Sequence, residues 1–433
     1  MSNNEIYGKK AHELIPAGAH TYSRTDEVFP ENAPRVFDHT KGVYAWDVDG
    51  NKFLDYGMAC RSVTVGYGYE RISNAAIEQI KKGNTASKAS KVEVDAAQTL
   101  VDLIPWVDMV KFAKNGSTVT SAATKLARAY TGRKYIVRCK DPSFFSYDDW
   151  FIGDTVMNGG IPNDISNLTL QFNYNDIESV KNIFEKYKNQ IACLIMEPVD
   201  DQVPKDNFLQ EVGRLCNEYG VVYILDEMIT GFRWDIQGAC KYYNVKPDLV
   251  TYGKGMANGF SVAALGGKRK IMELGGLIPG KERVFLISTT HGAEMSSLGA
   301  FIETVNVYKE LNVTDHIWKM GHKLCAGLND LAKEFNLEDY FYITGAECSP
   351  NFVVCGKDKK ASFEYRSVFC QEMIKNGILM PYIAIAYEHN DSEIDMTLEA
   401  ARKAMKTLSC ALDGNVSDFI MGNVIKPVFR KYN

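Results

Sequence analysis

"FLQEVGRLCNEYGVVYILDEMITG", residues 208–231, holds the fold in two halves. In the first, Phe208, Leu209, Val212, Leu215, Cys216 and Tyr219 recur at helical spacing and make one apolar face, and Gly220 is placed to end the helix. In the second, "VVYIL" (221–225) is an unbroken apolar run rich in β-branched residues, the composition of a strand buried on both faces, and it ends on Asp226. The same two patterns repeat around it. Within "TVTSAATKLARAY" (118–130), Val119, Ala122, Ala123, Leu126, Ala127 and Tyr130 share one helical face, Gly132 stands where the helix would stop, and "YIVRC" (135–139) follows as a strand. Asp176 is placed to cap a helix that turns Ile177, Val180, Phe184 and Tyr187 inward, ahead of the strand "IACLIM" (191–196). Strands alternating with amphipathic helices predict an α/β fold with a mostly parallel central sheet and helices on both faces.

The flanks read differently. "VYAWDVDGNKFLDY" (43–56) alternates in two runs around Asp49-Gly50, a hairpin with a tight turn. After about residue 305 the pattern becomes helical, with "ILMPYIAIAY" (378–387) as a strand. The organisation expected is an N-terminal segment, 1–65, packing with a small α+β domain, 306–433, and a large domain over 66–305.

Bulk properties remove several function classes. The net charge of -5 and a pI near 5.9 argue against nucleic acid as a partner. No run of about 18 apolar residues offers a membrane span, and "MSNNEIYGKKAHELIPAG" lacks the apolar core of a signal peptide, so a cytoplasmic protein is expected. The ten cysteines are scattered without CxxC or zinc-ligand spacing, which fits reduced, mostly buried thiols and no structural metal.

In a parallel sheet, ligands sit at the carboxyl ends of the strands, so the residues just past each strand are the ones to inspect. "LVTY" (249–252) runs into Gly253 and Lys254, with more glycine in "GKGMANG". A lysine at a strand exit is commonly a solvated cap, and glycines mark turns. Asp226 either caps the next turn, pairs with Arg233, or holds a protonated heterocycle, because a carboxylate at the end of so apolar a strand is costly to bury alone. "KNGST" (114–118) is either an ordinary N-cap or a phosphate seat made by Asn115, Gly116 and Ser117 at a helix start. No GxxxxGK[ST] loop and no dinucleotide fingerprint is present. Taken together, an anion seat, a carboxylate and a lysine at one sheet edge are what a phosphorylated pyridine aldehyde needs. Desolvation lowers a lysine's pKa, which suits imine chemistry.

"ILDEMITGFR" (224–233), "KNGSTVTSAATKLARAYTGR" (114–133), "YGKGMANG" (252–259) and "STTHGAE" (288–294) resemble the class III pyridoxal-phosphate aminotransferases, and most of all glutamate-1-semialdehyde aminomutase and its aminotransferase relatives. The resemblance runs from about Ile15 to the last helices. It implies the fold type I architecture, pyridoxal 5'-phosphate as cofactor, and a homodimer with active sites at the interface. It also assigns roles. Lys254 matches the Schiff-base lysine, Asp226 the partner of the pyridine nitrogen, and Met228 the apolar residue under the ring. Asn115, Gly116 and Ser117 match the phosphate loop. Thr289 matches the threonine reaching the phosphate from the neighbouring subunit, with Thr290 beside it. Arg24, closing "PAGAHTYSR" (16–24), matches the arginine that binds a substrate carboxylate.

Departures from the family pattern fall on the substrate side. Phe144-Phe145 stand where the family has a Tyr-His pair over the ring; Phe144 can stack there but cannot hydrogen-bond. Cys60, within "MACRSVTVG" (58–66), stands where a tryptophan is usual. The loop after Val199 is shorter than in the aminomutase, and "MPYIAIAYEHND" (380–391) lacks the family's acidic and glutamine side chains. The reading that follows is an aminotransferase moving an amino group from an amino-acid donor, glutamate above all, to an aldehyde or ketone acceptor, with sugar derivatives among the candidates. The alternatives are an aminomutase, which needs no separate donor, and a non-catalytic homologue that only binds the cofactor, against which the intact Lys254 and Asp226 speak.

Overall fold

The computed structural model describes residues 1–140, 144–199, 202–280, 282–292 and 294–432. They fall into two units. One joins residues 1–69 to 312–428; the other holds 70–311 and the C-terminal end from 429.

The second of these is a sheet unit. Its strands are β1 Met109–Ala113, β2 Tyr135–Cys139, β3 Thr169–Phe172, β4 Ile191–Met196, β5 Val222–Glu227, β6 Leu249–Tyr252 and β7 Ala263–Gly267. They lie in the order β1-β7-β6-β5-β4-β2-β3. The pairs β3–β2, β2–β4, β4–β5 and β5–β6 are parallel. β7 runs antiparallel to both its neighbours, β6 and β1, a reversal that the strand-helix alternation did not foretell.

Alternation along the strands feeds two apolar layers, one on each face. Ile136, Cys193, Ile195, Val222 and Ile224 join the layer that holds Val119, Ala123 and Leu126 of the helix Gly116–Thr131. Val137, Leu194, Met196, Tyr223 and Leu225 join the layer that holds Val180 and Phe184 of the helix Ile177–Lys186, and Leu209, Val212 and Leu215 of the helix Phe208–Tyr219. The helix ends follow their chemistry. Asp176 accepts from the Ser179 amide at 3.1 Å, and Gly132 and Gly220 take left-handed conformations at the C-caps. Tyr130 departs from the expected inward face. It lies in the last turn of its helix, 41% exposed, with the Lys270 ammonium over its ring at 5.5 Å.

In the terminal unit, strands Tyr44–Asp47 and Lys52–Asp55 form the hairpin read from the sequence, joined to Phe37–Lys41 on one side. The turn closes on Asp47, whose Oδ1 accepts from the amides of Asp49 and Asn51, while Gly50 supplies a φ of 86°. Ile378 and Leu379 pair in parallel with Leu54 and Asp55. That is all the strand that forms from "ILMPYIAIAY": Pro381 has no amide to donate, and the residues after it are held by single bonds, Ala384 N to Tyr56 O and Tyr387 N to Thr64 O. Helices Val313–Glu334, Phe363–Lys375 and Asp391–Asp413 complete the unit, with a two-stranded ribbon at 341–344 and 351–354.

All ten cysteines are free thiols; eight are buried, Cys60 is half-buried and Cys410 exposed. Among the described residues no helix is long and apolar enough to cross a membrane.

Candidate active site

β5 and β6 are neighbours in register, with Asp226 opposite Thr251. That register decides how Asp226 is held. Its Oδ1 accepts from the Met228 amide and from the Thr251 hydroxyl, both at 2.9 Å. Its Oδ2 is buried and has no hydrogen-bond partner. Burial raises its pKa, and the positive charge of Lys254 pulls the other way. So Asp226 caps the following turn with one oxygen and keeps the other uncommitted. Arg233 is not among its partners, which corrects the pairing reading.

The next residue makes the contrast. Glu227 is also fully buried, but its carboxylate accepts from the Thr230 hydroxyl and from the amides of Ala239 (2.9 Å) and Cys240 (2.6 Å). A Cβ on Gly238 would fall 2.6 Å from that carboxyl group. Glu227 is bound up in the loop that follows the strand; Asp226 is not. Nothing in the letters "DE" separates the two. Thr251 is a residue the sequence reading missed, although a hydroxyl inside an otherwise apolar strand is a signal.

Lys254 lies two residues past the end of β6, after Gly253, and is half-buried at the start of a short 3-10 turn, Lys254–Ala257. Its φ of 39° lies in the left-handed region, which a side chain occupies only under constraint. The glycine before it is explained by contact rather than by conformation. Gly253 is extended, with φ 179°. A Cβ there would lie 2.1 Å from Met228 Cε and 2.8 Å from its Sδ. Gly116 is similar: its Cβ would come within 2.9 Å of the same Met228 Cε. One thioether therefore spans the backbone before Lys254 and the first residue of the helix Gly116–Thr131.

Asn115 is the N-cap of that helix. Its Oδ1 accepts from the amide and hydroxyl of Thr118, at 3.0 and 3.1 Å. The Ser117 hydroxyl accepts from the Tyr147 amide at 3.1 Å. The N-cap reading thus holds, and it does not consume the amides that an anion would need. The amides of Gly116 and Ser117 lie in the first turn, where a helix offers no partner, and the dipole of a 16-residue helix favours negative charge there. β1 ends just before this seat, and β7 pairs Ala263 with Ala113 and Ala264 with Tyr252, so the ends of β1, β6 and β5 come to one edge of the sheet.

The remaining expected site residues scatter. Phe144 is 51% exposed and meets Phe151 edge-on at 5.7 Å. Phe145 is a core residue, its ring 5.6 Å from Phe151 and its carbonyl accepting from Thr120, so it has no access to a ligand. Thr289 and Thr290 are exposed, ahead of the helix Met295–Leu311. The shortened loop after Val199 begins at residues 200 and 201, outside the described residues. Arg24 belongs to the terminal unit, where it is exposed.

A buried carboxylate oxygen without a donor, a lysine whose charge is felt at that carboxylate, and a helix start free to take an anion fit a phosphorylated, protonated heterocycle. The family model for class III aminotransferases matches residues 28–381. The chain belongs to the class III aminotransferases. It is 32% identical over 408 residues to a 3-aminobutyryl-CoA aminotransferase of Cloacimonas acidaminovorans, covering 92% of this chain and 95% of that protein. It is 30% identical to a glutamate-1-semialdehyde 2,1-aminomutase of Francisella tularensis subsp. mediasiatica, covering 93% and 98%. Among solved structures it superposes on the FumI protein of Sphingopyxis sp. MTA144, solved with pyridoxal phosphate, at a TM-score of 0.86 and 26% identity over 95% of this chain and 96% of that one. This class III aminotransferase is a pyridoxal-phosphate-dependent enzyme of fold type I.

Two measurements test the site's construction. Gly253→Ala should cost roughly 1–3 kcal/mol in urea unfolding, since the new methyl group meets Met228. Most of that cost should vanish when Met228→Ala is added, and strict additivity of the two changes would refute the close approach. The second concerns pH. The folded pKa of Asp226 is raised to about 6 from 3.8, so its ionised form opposes folding. The penalty is absent below the unfolded value and complete above the folded one. Asp226→Asn removes it. Without cofactor, the melting temperature of the variant relative to the parent should climb as pH rises from about 4 to about 7. A flat difference across that window would contradict the burial of the charge.

Proposed function

We propose that this enzyme is an aminotransferase that takes an amino group from an amino-acid donor, glutamate in first place, and delivers it to an aldehyde or ketone, with sugar derivatives among the acceptors. The observation that carries this is Asp226, whose Oδ2 is buried with no hydrogen-bond partner and whose carboxylate feels the charge of Lys254. In this reading Asp226 Oδ2 accepts a hydrogen bond from the pyridine N–H and keeps that nitrogen protonated. When bound, the cofactor supplies an electron sink for the bonds at the substrate's α-carbon.

The chain's own residues do the rest. Lys254 Nζ would hold the cofactor at its aldehyde group and, when free, would take and return a proton at the substrate's α-carbon. A positioned general acid-base of this kind is worth about 10²–10⁴ in rate. The amides of Gly116 and Ser117, with Asn115 fixing the helix start, bind the phosphate. Met228 and Phe144 would hold the ring between them. Thr289 and Thr290 reach the phosphate of a neighbouring subunit, which makes the functional form a homodimer. Arg24 binds the substrate carboxylate by two parallel hydrogen bonds.

The relatives favour two chemistries, transfer between two substrates and rearrangement within one. The replacement at Cys60 lies on the substrate side, while Lys254, Asp226 and the residues at Asn115–Ser117 are kept, which favours two substrates taken in turn. Mixing the cofactor-loaded enzyme with glutamate alone should change its visible absorbance and release 2-oxoglutarate, and Lys254→Ala should do neither. No response to any common amino acid, together with turnover of glutamate-1-semialdehyde alone, would establish the aminomutase instead.

A further inference from the structure

The helix Gly116–Thr131 buries two faces. One is the apolar face read from the sequence. The other carries hydroxyls: Ser117, Thr120, Ser121 and Thr124 recur at i, i+3, i+4 and i+7. Ser117, Thr120 and Thr124 are all buried. A buried hydroxyl is costly unless it finds a partner, and in a helix it can turn back to a carbonyl of its own backbone. Thr124 does so, donating to Ser121 O at 2.9 Å. The other three reach out of the helix, and all of them reach the segment 145–150.

Thr120 donates to the Phe145 carbonyl at 2.6 Å. Ser121 Oγ accepts from the Trp150 indole N–H at 2.8 Å and lies 3.0 Å from Ser146 Oγ. Ser146 is fully buried, and its Oγ also accepts from the Asp148 amide at 3.0 Å, which closes a turn over residues 146–148. Tyr147 is the middle of that turn, and its amide donates to Ser117 Oγ at 3.1 Å. Ser117 receives without giving: its side chain is 5% exposed, and among the described residues its hydroxyl hydrogen has no acceptor. A hydroxyl oxygen that accepts on one side turns its own hydrogen away from that donor. In the first turn of the helix, beside amides that no helix carbonyl takes, that hydrogen is one more donor for an anion.

We propose that Ser121 and Ser146 are positioning residues for the cofactor phosphate: their bond holds the 146–148 turn, the turn fixes the Tyr147 amide, and that amide sets the Ser117 hydroxyl as a donor to the phosphate. This deepens the transfer reading, on which it rests for the phosphate at this helix start. Both serines act through Ser117 rather than on the phosphate. They stand 25 residues apart, so only the fold joins them.

Pyridoxal, the same compound without its phosphate, tests this without turnover. The measured quantity is the dissociation constant of pyridoxal divided by that of pyridoxal phosphate, for the full chain freed of cofactor. Ser117→Ala should lower this ratio about tenfold or more, the worth of a hydrogen bond to a charged group. Ser121→Ala and Ser146→Ala should each lower it about threefold or more, because the Ser117 hydroxyl is then no longer set. Ser121→Thr, which keeps a hydroxyl, should retain the parent ratio. In the Ser117→Ala background, Ser146→Ala should change the ratio no further. A merely structural role would weaken both compounds alike and leave the ratio where it was. Circular dichroism identifies a variant that fails to fold, and either alanine variant alone decides the matter. An unchanged ratio in folded Ser121→Ala or Ser146→Ala, or additive effects of Ser117→Ala and Ser146→Ala, would overturn the proposal and leave the phosphate seat standing. An unchanged ratio in Ser117→Ala would remove the Ser117 contact and the proposal together.

Discussion

The active-site edge of this sheet depends on a carboxylate that is only half satisfied. Asp226 is buried at the end of β5, with Oδ1 tied to the Met228 amide and to Thr251, and Oδ2 given no partner. A buried charge in that state is unfavourable on its own, and the nearby positive charge of Lys254 offsets part of the cost. The arrangement is stable only because the strands around it are fixed. β5 and β6 are parallel neighbours, and their register sets Thr251 against Asp226. Shifting β5 by one residue would turn the aspartate to the other layer, and shifting β6 would take Thr251 away from it.

Close packing supplies the second constraint, and it converges on the same place. Met228, two residues past Asp226, fills the space that side chains on Gly253 and Gly116 would need. The helix start at Gly116 and the backbone before Lys254 therefore meet on one flexible apolar side chain, two residues past Asp226. Lys254 takes a left-handed φ immediately after the crowded glycine, so backbone strain sits at the candidate catalytic lysine.

The protein uses buried carboxylates in two ways. Glu227 and Asp55 are saturated by amides and hydroxyls, and each organises a piece of backbone: the loop through Ala239 and Cys240 in one case, the left-handed turn at Met58–Arg61 in the other. Asp226 is the one left with capacity to spare. Partner count, rather than burial or residue type, separates the structural acids from the candidate catalytic one.

The alternation of apolar strands and amphipathic helices was legible from the letters alone, because buried parallel strands are continuously apolar and their helices keep a 3.6-residue period. So were the helix stops at Gly132 and Gly220, the cap at Asp176 and the hairpin turn at Asp49-Gly50, since each rests on local chemistry. The exits of β5 and β6 were legible for the same reason, and with them Asp226 and Lys254. What the letters could not give was everything that depends on a neighbour distant in sequence. The antiparallel β7, the loss of a strand beyond Leu379 and the burial of Phe145 were settled by pairing and packing. The choice between Asp226 and Glu227 turned on partners as far away as Thr251 and Cys240, and the glycine before Lys254 turned out to answer to Met228 rather than to a turn. Local pattern determines which elements form; only tertiary contact decides which polar atoms are left without a partner, because those partners lie far away in sequence.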